Sequence, residues 1–154
     1  MCTRHRLALG ALADVRAEFR SQSHGISPPP CWVSFLCRSE STTAAGDSFA
    51  RAVVEVAAHP DVVATGLNCT SPALVHPLLV AARAAAPEAV LMAYPNSGEL
   101  WDAREGQRCW HGDEEVLGGS HAMAMRRAGA EVIGGCCRVE HAQIRAFREE
   151  LIGD

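Results

Sequence analysis

The 154-residue chain predicts an α/β fold with a parallel sheet, and three observations carry that reading. After an opening helix, short β-prone runs alternate with helix-length segments four times over. The runs are apolar on both faces, as parallel strands covered by helices are. Polar, turn-forming segments containing three of the cysteines follow directly on the ends of these runs. That is the end where α/β folds place their sites.

Taken in order, residues 7–20 place Leu9, Leu12, Val15 and Phe19 at helical spacing, one stripe of an amphipathic helix. Residues 21–30 are polar and proline-rich and cannot continue it. Residues 1–30 therefore read as an N-terminal helix with its connector, and residues 31–154 as the body of the domain. Residues 32–36 are a β-prone run. Asp47 is placed to cap a second helix through Val56, with Phe49, Val53 and Val56 facing a core. His59-Pro60 ends it. Residues 62–67 read as a buried strand, and Ser71-Pro72 as N-cap and first position of a third helix. Pro77 within that helix requires either a later start or a kink. A strand at 90–94, a long polar loop at 95–112, a helix at 114–129 and a strand at 130–133 follow. Residues 141–152 close the chain as a helix with Ile144, Phe147 and Leu151 on one face. Four units do not close a barrel, and periodicity fits a small open sheet as well as half of an eight-stranded barrel.

Composition narrows the function classes. With 48% hydrophobic and 21% charged residues the chain has the profile of a soluble globular domain. The net charge is −4 and the basic residues are dispersed, which argues against a nucleic-acid surface. No apolar run approaches the ~20 residues that cross a bilayer. The basic N-terminus precedes an apolar stretch that Asp14, Arg16 and Glu18 end too early for a signal peptide. A cytoplasmic protein is expected.

Seven cysteines in a chain without a secretion signal make a disulfide framework unexpected and favour metal binding or thiol chemistry. Cys69 ends the run 62–67, and Cys136 and Cys137 follow the strand 130–133. Three thiolates converging from two strand ends suit Zn²⁺, and leave its fourth tetrahedral position open. Gly134 and Gly135 let the backbone approach such a metal. Buried free cysteines are common in apolar cores, and a single one would be read that way. A Cys-Cys pair and a third cysteine, all at strand ends, favour the metal. Cys2, Cys31, Cys37 and Cys109 read as ordinary thiols, and His111 as a solvated loop residue rather than a fourth ligand.

The segments Gly66-Leu67-Asn68-Cys69, Tyr94-Pro95-Asn96-Ser97-Gly98-Glu99 and Gly134-Gly135-Cys136-Cys137-Arg138 resemble the signature segments of the homocysteine S-methyltransferase family. The second of these, Tyr94 to Glu99, is closer to the family's S-methylmethionine- or S-adenosylmethionine-dependent branch than to the betaine branch. The resemblance runs from about residue 7 to the C-terminus. It implies a (β/α)₈ TIM barrel, here strands five to eight with their helices, and Zn²⁺ on Cys69, Cys136 and Cys137. It further implies homocysteine sulfur as fourth ligand and methyl transfer to it from a sulfonium donor, giving methionine. Asn68, Tyr94, Asn96 and Glu99 are the expected substrate contacts, although Asn96 also reads as a turn residue.

Residues 1–30 contain nothing like the glycine-rich first strand and acidic residues that the family would supply. The chain is therefore expected to be a fragment or short form. A half-barrel exposes sheet edges and an inner face, which invites self-association. The competing reading is a non-catalytic zinc-binding half-barrel or interaction module. A redox protein using Cys136-Cys137 is disfavoured, since no C-x-x-C opens a helix. Trp101 and Trp110 offer ring faces to a sulfonium, but loop tryptophans commonly serve as anchors, and the sequence does not select the donor.

Overall fold

The computed structural model describes residues 4–22, 26–104 and 108–153. Cys2 and part of the connector lie outside the described residues. Helix α1 (Arg4–Gln22) precedes strand β1 (Cys31–Phe35), helix α2 (Phe49–Ala57), strand β2 (Val62–Asn68), helix α3 (Pro72–Ala85) and strand β3 (Leu91–Tyr94). Strands β4 (Leu100–Asp102) and β5 (Cys109–His111) form an antiparallel hairpin. Helix α4 (Gly119–Arg127), strand β6 (Ala130–Ile133) and helix α5 (His141–Ile152) complete the chain.

The four longer-range strands pair in parallel in the order β1-β2-β3-β6, as the alternation predicted. Strand order follows chain order without reversal. No topological switch point exists here, whereas doubly wound sheets bind ligands at one. Helices α2 to α5 cover one face. Phe49 and Val53 of α2, Leu78 and Leu79 of α3 and Phe147 of α5 share a core with Leu67, Leu91 and Ala93 of the sheet. On the other face Trp32 (61% exposed) and Val132 (45%) are open to solvent.

Several local expectations need correction. Ser48, not Asp47, caps α2: its hydroxyl accepts from Arg51 N–H at 3.4 Å, while the Asp47 carbonyl closes a turn with Thr43 N–H. Helix α3 begins at Pro72 and runs on through Pro77, so the later start is excluded. The predicted helix at 114–129 starts only at Gly119, because the preceding residues are tied to other parts of the chain. Glu115 N–H donates to the Ser97 carbonyl at 2.7 Å, and Leu117 is buried in the core. The loop 95–112 contains the β4–β5 hairpin, in which Trp101 lies opposite Trp110. Two three-residue strands are too short for periodicity to reveal.

The stripe on α1 is also not a core stripe. Val15 is 64% exposed and Phe19 38%, Leu9 and Leu12 are only half-buried, and among the described side chains of this helix the buried one is Arg16. Its guanidinium pairs with Asp61 at 2.8 Å and donates to the Pro28 and Pro29 carbonyls. No helix among the described residues is long and apolar enough to cross a membrane.

Candidate metal centre

Parallel strands end at a common rim, and the loops after β2, β3 and β6 meet there. They are laced together by main-chain hydrogen bonds. Cys69 N–H donates to the Tyr94 carbonyl at 3.1 Å, and Asn96 N–H to that of Thr70 at 3.2 Å. Across the other seam, Cys136 N–H donates to the Pro95 carbonyl at 2.7 Å and Ser97 N–H to that of Cys137 at 3.2 Å. The segment at 94–99 thus clamps the cysteine loops on both sides.

This clamp brings the sulfurs of Cys69, Cys136 and Cys137 within 4.8 Å of one another. Cys69 Sγ lies 3.5 Å from Cys137 Sγ, and Cys136 Sγ lies 3.9 Å from it. Tetrahedral zinc with bonds of roughly 2.3 Å spaces its sulfurs about 3.8 Å apart. Two of the three edges therefore already have the spacing of a zinc site. Along the third, Cys69 and Cys136 are joined as a disulfide, which corrects the expectation of three free thiols. Convergence explains it, since the Cα atoms are 5.4 Å apart, within reach of a bridge. The metal-binding form of this donor set is the reduced one.

Backbone strain concentrates at the same place. Cys69 has φ +46° and Arg138 φ +62°, left-handed conformations that side chains other than glycine adopt rarely. Gly66, three residues before Cys69, has a different necessity: a Cβ there would fall 1.9 Å from the Met92 carbonyl oxygen. Strands β2 and β3 approach too closely for any side chain. On that same sheet face, away from the helices, the Tyr94 hydroxyl reaches across β2 to hydrogen-bond the Ser34 hydroxyl of β1.

The four residues expected to contact substrate thus have distinct environments. Asn68 is half-buried at the end of β2, with no side-chain hydrogen bond among the described residues. Tyr94 is engaged by Ser34. Asn96 is buried and folded into a turn, its carbonyl oxygen accepting from Gly98 N–H at 3.0 Å and its amide donating to the Glu99 carbonyl at 3.2 Å. Glu99 is buried and accepts from Ser97 Oγ at 2.8 Å and from Arg138 Nε. The Ser97 hydroxyl first, then the Arg138 guanidinium, hold its carboxyl below the ordinary glutamate range. Sequence reasoning passed over Ser97, Ser34 and Arg138 as partners. Arg138 carried a signal, because it directly follows the cysteine pair.

A cavity of about 930 Å³ opens over the cysteines. Cys69, Cys137, Asn96 and Glu99 form part of its wall, and Arg38, Trp101 and Trp110 another part. Cys37 also faces it, but burial pushes that thiol up to about 12, so it stays protonated at neutral pH. Cys109 lies away from the metal cluster, with its sulfur 3.1 Å from His111 Nε2. Among the described residues, the Cys69, Cys136 and Cys137 cluster is the one group able to hold a metal.

Comparison with known proteins shows the family. The family model for homocysteine S-methyltransferase matches residues 6–151. Homocysteine S-methyltransferase 3 of Arabidopsis thaliana is 34% identical over 125 residues, covering 79% of this chain and 35% of the relative. Homocysteine S-methyltransferase 4 of Zea mays is 34% identical over 139 residues, covering 88% and 39%. The metallated form of the homocysteine methyltransferase MmuM from Escherichia coli superposes with a TM-score of 0.61 at 25% identity, over 87% of this chain and 38% of that one. The chain thus spans little more than a third of the length of these relatives.

Proposed function

The chain belongs to the homocysteine S-methyltransferase family, and on that premise we propose that it serves methyl transfer from a sulfonium donor to homocysteine, giving methionine. The donor is S-methylmethionine or S-adenosylmethionine. The fold is read as strands five to eight of a (β/α)₈ barrel. Support comes from the unreversed strand order and from the exposed inner face.

The observation that carries the reading is the meeting of three cysteine sulfurs over one cavity. Cys69, Cys136 and Cys137, once reduced, would hold Zn²⁺, which three thiolates suit, and a metallated form of the MmuM relative supports a metal there. Bound zinc lowers the pKa of a coordinated thiol, so that homocysteine can react as a thiolate at neutral pH. The chain's own part is positional. The segment at 94–99 fixes the sulfurs, and the cavity gives the donor room to approach in line. In the transfer, a thiolate lone pair forms the new S–CH₃ bond. The donor's S–CH₃ bond breaks with its electron pair returning to the donor sulfur, which leaves as a neutral thioether. No protein base is required.

The test begins with reduced protein, where one zinc per chain is expected. Cys69→Ser, Cys136→Ser and Cys137→Ser should each abolish it, and retention in all three would overturn the assignment. Methionine formation from homocysteine with S-methylmethionine or S-adenosylmethionine then tests the reaction. A second reading, a zinc-binding half-barrel that associates without turnover, rests on the exposed Trp32 and Val132 of the inner face. It predicts zinc and a concentration-dependent dimer, but no methionine.

A further inference from the structure

Trp101 and Trp110 are directly opposite each other on the β4–β5 hairpin. Their ring centroids are 5.4 Å apart at an interplanar angle of 58°, so each ring is packed on the other and not on the helical core. A tryptophan that only anchors a loop buries itself. Trp101 is instead 50% exposed, and both rings line the cavity shared by Cys69 and Cys137. Arg38, on the loop after β1, lines the same cavity and has no acidic partner among the described residues. The one carboxylate on that wall, Glu99, is taken up by Ser97 and Arg138.

We propose that the Trp101–Trp110 pair is the donor subsite, binding the sulfonium centre of an amino-acid methyl donor against the exposed face of Trp101 while Arg38 receives its carboxylate. The proposal rests on the methyl-transfer reading and deepens it by naming what holds the donor. An aromatic face carries negative potential and attracts a cation within ~6 Å of its centroid, tryptophan most strongly. Sulfonium is a weakly hydrated cation that cannot donate a hydrogen bond, so a ring face suits it better than a carboxylate. Methyl transfer turns the sulfonium into a neutral thioether. The same pair therefore holds the donor and loosens its grip on the product, which is the discrimination that turnover needs. Trp110, behind Trp101, fixes the angle of the exposed ring.

The test compares S-methylmethionine with methionine, which has the same amino-acid end and a neutral sulfur. Binding to the reduced, zinc-loaded full chain is read by calorimetry and by tryptophan fluorescence in a Trp32→Phe background. S-methylmethionine should bind about 2- to 30-fold tighter than methionine, the span of a cation–aromatic contact. Trp101→Ala should remove that difference, and Trp110→Ala should reduce it, with methionine binding nearly unchanged. Because these variants can disturb the hairpin, fluorinated tryptophans provide a second arm. Fluorination weakens the ring's potential with little change of shape, and the preference should fall stepwise with each added fluorine. Equal affinity for the two ligands, or a preference indifferent to fluorination, would overturn the proposal. Zinc content, measured alongside, reports separately on the cysteine site: normal zinc without sulfonium preference sinks the subsite alone. Lost zinc would strike at the reading beneath it.

Discussion

The rim loops after β2, β3 and β6 and the opening helix α1 differ in what holds them in place. The rim is tied by main-chain hydrogen bonds in both directions, reinforced by the Arg138–Glu99 ion pair and by left-handed backbone at Cys69 and Arg138. Helix α1 is held by side-chain charge: Arg6 to Glu55 at 2.7 Å, Arg16 to Asp61 at 2.8 Å and Arg20 to Asp61 at 3.5 Å. Of its apolar residues, Leu7, Val15 and Phe19 are exposed, and Leu9 and Leu12 are only half-buried. Main-chain bonds fix atoms to a fraction of an ångström, as a metal site requires. Ion pairs with exposed partners, such as those of Arg6 and Arg20, give little stability, about 0 to 1 kcal/mol each, and only loosely defined positions. The precision of this molecule is therefore concentrated at its rim.

The largest effect should come from removing the close approach beneath the rim. Gly66→Ala would drive a Cβ into the Met92 carbonyl, and since backbone cannot yield as a side chain can, a loss of about 3 kcal/mol is expected in denaturant unfolding. Loss of zinc should accompany it. Cysteine accessibility sharpens the contrast next. In the reduced native chain the exposed Cys137 should react with iodoacetamide at neutral pH, while Cys37, buried and pushed up to about 12, should stay unlabelled. Equal labelling of the two would contradict the described burial.

A smaller effect is expected from the clasp. Arg138→Ala or Glu99→Gln leaves all three sulfurs in place but frees the cysteine loop, so zinc affinity should fall about tenfold and the unfolding midpoint should fall slightly. The pH dependence follows from the direction of the Glu99 shift. A folded-state value below the unfolded one gives stability that is complete above the unfolded value. That stability is lost as pH falls through the folded value. The advantage of the wild type over Glu99→Gln should thus persist at neutral pH and shrink only below the ordinary glutamate range. Smallest of all, 1 M salt should speed amide exchange in α1 and leave zinc content and exchange in β2 and β3 unchanged. A rim as sensitive to salt as α1 would break the comparison.

Much of the body was legible in the sequence because its signals are local. Continuous apolar runs marked β2 and β3, helical spacing marked α2 and α5, and Ser71-Pro72 marked the start of α3. The cysteine cluster was legible for the same reason, since a residue that directly follows a parallel strand must lie at the rim. The stripe on α1 marked a helix but not its burial, because helical spacing shows which residues share a face, not how closely anything packs against it. The late start of α4 escaped because Ser97, far along the chain, holds Glu115.

By itself, then, the sequence determined the parallel α/β class, the alternation of its parallel strands with helices and the three sulfurs at the rim. Periodicity and strand polarity depend only on near neighbours in the chain. Tertiary structure decided the disulfide between Cys69 and Cys136, the occupation of Glu99 by Ser97 and Arg138, the hydrogen bond from Tyr94 to Ser34, and the meeting of Trp101 with Trp110 over the cysteine cavity. Each of these depends on distances between separate loops or strands. Such distances are set by sheet register and by loop-to-loop hydrogen bonds, which no local pattern records.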